Sequence, residues 1–131
     1  IQVFKEIIEE TNVNAIMAGH VKYPNIDNNP SSLSYEILTK RLVQDLGYTG
    51  LIISDDMCMG AVKNTDTLTN TAKKALLAGN DILIYSTSQI SIQEDIYNYI
   101  LKEVNNGNMD IDGKVLKILR IKIKHNIRDT I

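Results

Sequence analysis

The chain has 131 residues and a formal net charge of −2, long enough for one domain with a real core. Aromatic residues make up 5% and Trp is absent, so that core must be aliphatic. The balanced charge gives no footprint for a nucleic-acid partner, the lone Cys58 excludes an internal disulfide framework, and no apolar run approaches the roughly 20 residues of a membrane-spanning helix.

Val3, Ile7 and Ile8 recur at helical spacing and predict the end of an amphipathic helix over residues 1–11, broken at Thr11-Asn12. Ala15-Ile16-Met17-Ala18, ending at Gly19-His20-Val21, predicts a buried strand. A polar loop rich in Asn, Pro and Ser follows from Tyr23 to Leu33. Ser34 is a suitable N-cap, since its hydroxyl can take an orphan backbone N–H. The helix it opens reaches Leu46, with Leu38, Leu42 and Leu46 on one face and Gly47 as the stop. Leu51 to Ser54 is the second strand. Asp66 or Thr67 caps a helix that turns Leu68, Ala72, Ala75 and Leu76 inward and stops at Gly79. Asp81 to Tyr85 is the third strand. Ile92, Ile96, Tyr99, Ile100 and Leu101 predict a helix ending near Asn106-Gly107, and Asp110 or Asp112 opens a last one. In that last helix Val115, Ile118 and Leu119 are expected to face the core. Lys114, Lys117, Arg120, Lys122 and Lys124 are expected to form a wet face, with His125 solvated; Ile121 to Lys124 alternates in a way a strand would share. Strands alternating with helices predict an α/β fold with parallel pairing through right-handed crossovers.

The richest segment is Gly50-Leu51-Ile52-Ile53-Ser54-Asp55-Asp56-Met57-Cys58-Met59-Gly60-Ala61. A continuous apolar run is the mark of a strand in a parallel sheet. Carboxylates at its C-terminal end sit where α/β proteins place their chemistry. Asp55 is therefore a candidate catalytic carboxylate, against the plainer reading of a helix cap or loop-satisfying acid. Strand parity turns Asp56 away from Asp55 and suits it to a structural or orienting role.

Ile16-Met17-Ala18-Gly19-His20-Val21-Lys22-Tyr23-Pro24, Pro30-Ser31-Ser32-Leu33-Ser34, Leu46 to Met57, Met59-Gly60-Ala61 and Ala78-Gly79-Asn80-Asp81-Ile82-Leu83 occur in an order and spacing that resembles glycoside hydrolase family 3. The nearest branch is the bacterial β-N-acetylhexosaminidases (β-N-acetylglucosaminidases). Ile118 to Lys122 is similar to the closing helix of that catalytic domain. The resemblance implies a (β/α)8 TIM-type barrel, a fold of about 250 residues. Residues 1–131 would then be its C-terminal half, carrying the last three strands. The family's Lys-His-Phe-Pro-Gly-His-Gly loop, which bears the acid/base histidine, does not occur in these residues. Ile1 is not an initiator, so the chain reads as an excerpt.

By the same resemblance, Asp55 is the nucleophile of a retaining hydrolase that removes terminal β-linked N-acetylglucosamine from peptidoglycan fragments or chitooligosaccharides through a glycosyl-aspartate. His20 would line the sugar site or hold Asp55, and equally suits a hydrogen-bonded histidine under the loop. Met59 lies at a family methionine position near the sugar, against the plainer and preferred reading of a gap-filling side chain. Asp56 joins them as a substrate-side candidate. Cys58 has no activating neighbour, and Tyr85 and Ser86 suit a strand end or a reach to the pocket. No metal or organic cofactor is expected. The expected partners are a carbohydrate and either the absent barrel half or a second copy of the chain, without which the segment should be inactive. The expected setting is a bacterial cytoplasm or cell envelope, with any targeting region outside the sequence.

Two other readings use the same residues. A non-catalytic parallel module of the phosphoacceptor type also carries paired aspartates, but after its first strand, with an acceptor aspartate later; here Ile84 is followed by Tyr85-Ser86. A metal hydrolase could use His20, Asp55 and Asp56, although adjacent strand residues point to opposite sides.

Overall fold

Three short apolar runs become one parallel sheet. The computed structural model describes residues 2–127. In chain order the elements are α1 (Gln2–Glu10), β1 (Ala15–Ala18), β2 (Lys22–Tyr23), β3 (Asp27–Pro30), a tight turn (Ser31–Leu33), α2 (Glu36–Asp45), β4 (Leu51–Asp56), α3 (Gly60–Lys63), α4 (Leu68–Ala78), β5 (Ile82–Ile84), α5 (Ile90–Asn105) and α6 (Asp112–Lys124). The sheet runs β1-β4-β5, with β1 paired in register from Ala15–Leu51 to Ala18–Ser54. The parallel α/β reading therefore holds.

Several boundaries differ from expectation. The polar loop contains a small antiparallel hairpin, β2–β3, whose turn is closed by the Ile26 N–H donating to the Tyr23 carbonyl at 2.7 Å; within β3, Asp27 Oδ1 accepts the Asn29 N–H at 2.9 Å. β4 continues through both aspartates to Asp56, while β5 is trimmed to Ile82–Ile84. Ser34 acts as expected, accepting the Ile37 N–H at 3.1 Å, and its hydroxyl also donates to Asp27 Oδ2 at 2.6 Å. α2 is wound wide, as the Leu46 N–H reaching back five residues to the Arg41 carbonyl shows. Thr67, not Asp66, caps α4 by accepting the Asn70 N–H, and Asp66 braces that cap through the Thr67 N–H and the Asn70 amide. Gly79 ends α4 at φ +129, and a Cβ there would stand 2.8 Å from Thr39 Oγ1 of α2. Glycine both adopts that φ and lets the two helices meet.

One side of the sheet is packed. Ala18 and Ile52 join Leu38, Leu42, Tyr48 and Ala78 in a core against the helices. A second cluster joins Met57 to Leu33, Val62 and Ala75. By alternation, Met17, Ile53 and Ile82 lie on the opposite face. Among the described residues nothing covers that face: Met17 is 59% exposed and Ile84 36%.

Two helices depart from the sequence reading. In α1 only Ile8 packs on the core, and Val3, Phe4 and Ile7 are exposed. Of these, Phe4 lines an apolar cleft of about 240 Å³ that runs along β1 and α2. α6 is rotated: Val115 and Leu119 are exposed, while Lys114 and Lys117 turn inward. The cause is Asp81, a buried acid at the foot of β5 whose Oδ2 accepts the Lys117 ammonium at 2.7 Å and the Ile52 N–H at 2.9 Å. A buried carboxylate requires such partners, and it draws the lysine face of α6 toward it. Lys124 stays exposed as expected and donates to Asn14 Oδ1 at 3.0 Å. α6 thus crosses beneath the N-terminal ends of the strands.

Candidate active site

Asp55 is the penultimate residue of the central strand. Ile52 and Ser54 are fully buried on the helix side, so Asp55, alternating with them, shares the open face of Ile53 at its C-terminal rim. The side chain is half-buried. Its Oδ1 accepts the Asp56 N–H at 2.8 Å, and Oδ2 has no hydrogen-bond partner among the described residues. A carboxylate oxygen left open at the C-terminal rim of a parallel sheet can meet a ligand there.

The main chain around Asp55 is irregular. Between the pairs Ile53–Ile82 and Asp56–Ile84 the register shifts, so β4 carries two residues, Ser54 and Asp55, where β5 carries one. This is a bulge, the device by which a strand re-aims a side chain. Asp56 closes it. Its carboxylate accepts the Ser86 hydroxyl on Oδ2 and, on Oδ1, the Ser86 N–H at 3.0 Å and the Cys58 N–H at 2.9 Å. The Ser86 hydroxyl, the Ser86 N–H and the Cys58 N–H, in that order, hold the Asp56 carboxyl down at about 2. Both oxygens are committed to the protein.

His20 is nearly buried and reaches the same strand tip. Nε2 lies 2.9 Å from the Asp56 carbonyl and Nδ1 2.6 Å from the Ser32 hydroxyl. A carbonyl only accepts, so Nε2 carries the proton and Nδ1 accepts from Ser32. Asn80, completely buried, steadies the Ser32 segment by donating to the Ser32 and Ala75 carbonyls at 2.7 and 2.8 Å. His20 therefore holds the Asp56 main chain, and both its hydrogen bonds go to partners other than the Asp55 carboxylate.

Met59, 46% exposed, begins α3 beside the rim and fills no gap in the described core. Burial first, then the Asp56 charge, pushes the Cys58 thiol up, which leaves it protonated and a poor nucleophile. Burial likewise raises the Tyr85 hydroxyl, whose ring packs against the second core cluster. His125 is exposed beyond the end of α6, away from the rim. His20, Asp55 and Asp56 do not converge, and among the described residues no cluster of three or more His, Cys, Asp or Glu is placed to hold a metal. Three serines that clasp this rim carry no motif of their own in the sequence: Ser32 under His20, Ser86 on Asp56, and Ser54, whose Oγ accepts the Ile84 N–H at 3.0 Å. Ser86 alone had a signal, as the polar residue closing a strand.

The pattern of the glycosyl hydrolase family 3 N-terminal domain matches residues 1–121. The chain is 40% identical over 91 residues to a beta-hexosaminidase of Nitrosomonas eutropha, covering 70% of this chain and 26% of that protein. It is 33% identical over 103 residues to a beta-hexosaminidase of Pasteurella multocida, covering 79% and 29%. A glycoside hydrolase family 3 beta-N-acetylglucosaminidase from a Paenibacillus species superposes with a TM-score of 0.86 at 28% identity, over 95% of this chain and 24% of that one. The chain thus spans about a quarter of the length of these relatives. With a parallel α/β sheet, an aspartate at the rim of its central strand and a family match along almost its whole length, the chain belongs to glycosyl hydrolase family 3.

Proposed function

We propose that this chain is the nucleophile-bearing part of a retaining β-N-acetylhexosaminidase barrel, its C-terminal half. In this reading Asp55 Oδ2 attacks the anomeric carbon of a terminal N-acetylglucosamine and forms a glycosyl-aspartate, which water then releases with net retention. The observation that carries it is the position of Asp55, at the C-terminal rim of the central strand with one carboxylate oxygen free of protein partners among the described residues. The names of the relatives supply the sugar class. Asp56 and His20 hold the strand tip, and Met59 borders the sugar.

Retaining hydrolysis also needs a group that protonates the leaving oxygen. His20 cannot serve, since both ring nitrogens are engaged. That group must come from polypeptide outside these residues, so the isolated segment is expected to be inactive. The remaining barrel strands would cover the open face of the sheet.

The test uses the full-length polypeptide that carries this segment and a chromogenic N-acetyl-β-glucosaminide. Asp55→Asn should lower kcat by about a thousandfold or more, the scale of losing a nucleophile. A slowly released fluorinated glycoside should add its sugar mass to the peptide containing Asp55. Undiminished turnover in the variant would remove Asp55 from this role.

A further inference from the structure

We propose that Ser54 is a positioning residue for Asp55, bracing the bulge that aims the carboxylate; this rests on the reading of Asp55 as nucleophile. Ser54 is fully buried. Its hydroxyl oxygen accepts the Ile84 N–H of β5 at 3.0 Å. The carbonyl of the same residue, Ile84, accepts the Met57 N–H at 2.9 Å. One residue of the neighbouring strand is thus gripped from both sides of Asp55, by Ser54 before it and Met57 after it. The main chain between these two anchors is the bulge itself.

A bulge adds a residue without adding a regular ladder partner, so its geometry is held by whatever cross-links it makes. Asp56 supplies one on the far side, through Ser86. Ser54 supplies the one on the near side, and it is the only side chain of β4 before Asp55 shown to donate to or accept from β5 among the described residues. Asp55 has few restraints of its own, a single hydrogen bond to the next N–H. Its aim is therefore set by the main chain that Ser54 and Met57 hold. Misplacing a reacting group by about 1 Å costs on the order of a hundredfold in rate, and a defect of aim alone lowers kcat while leaving KM nearly unchanged.

The experiment compares Ser54→Cys, Ser54→Ala and Asp55→Asn in the full-length polypeptide, with the chromogenic N-acetyl-β-glucosaminide as substrate. Cysteine nearly keeps the serine shape but is a weak acceptor, so it retains the packing if the alanine variant does not fold. The expected result is a kcat roughly 10- to 100-fold lower for Ser54→Cys, with KM within about threefold of the parent and an unchanged circular dichroism spectrum. A parental kcat in a folded Ser54→Cys protein, alongside an inactive Asp55→Asn, overturns the positioning role and leaves the nucleophile reading standing. A fall in kcat matched by an equal rise in KM or by loss of fold also overturns it, because the serine would then be merely structural. Full activity in Asp55→Asn overturns both.

Discussion

Asp56 shows how a second acid beside the first can differ in role. Its carboxyl is held at about 2 by Ser86 and Cys58, below the ordinary value near 3.8. A depressed folded value means that its hydrogen bonds stabilise the fold fully above about pH 4, and that this contribution is lost as the pH falls through about 2. Acid titration followed by circular dichroism should accordingly show a shallower loss of stability between about pH 4 and pH 2 for Asp56→Asn than for the parent, and identical slopes would contradict the assignment. The two aspartates were legible because an apolar run that ends in acids has its natural place at the rim of a parallel sheet. The serines were not. Ser54 and Ser86 act on partners thirty positions away, and a contact of that span leaves no local spacing to read. His20 was legible as a residue near the mouth, but its two partners are a main-chain carbonyl and a serine, which composition cannot disclose.

Among the elements, the helix stops and caps were readable, since Gly79, Thr67 and Ser34 act through their immediate neighbours. The orientation of α6 was not. Its apolar residues suggested one face, and the need of Asp81 for a cation selected another. The pairing is largely removed from water: the Asp81 side chain is 2% exposed and that of Lys117 29%. Removing the acid leaves the Ile52 N–H without its acceptor as well, while removing the lysine leaves a carboxylate that still holds that N–H. Lys117→Ala should cost about 3–5 kcal/mol, since it strands a buried carboxylate without its cation, and Asp81→Ala about 1–3 kcal/mol, for the buried N–H left without an acceptor beside a lysine that can reach water. Urea denaturation of both variants measures this order, and a larger effect from removing the acid would contradict it. The same acid, after burial itself, raises the Tyr48 hydroxyl to about 12, so the foot of the sheet carries one negative charge shared by three elements.

For the whole molecule, the uncovered sheet face and the α1 cleft set the behaviour of the segment on its own. Exposed Met17 on β1 and exposed Phe4 and Ile7 on α1 lie next to a strand edge that nothing described here pairs, and such edges recruit other chains. The isolated segment should self-associate as its concentration rises and bind a hydrophobic dye, and Met17→Lys should weaken both, as read by sedimentation and fluorescence. A monomer that ignores the dye at high concentration would contradict this. His20, Ser32, Ser54, Asp56 and Ser86 all lie within one contiguous stretch around Asp55. Gene fusion or recombination that moved this stretch would carry Asp55 together with the frame that points it, so that, on the proposed reading, a nucleophile and its aim travel as one inheritable unit.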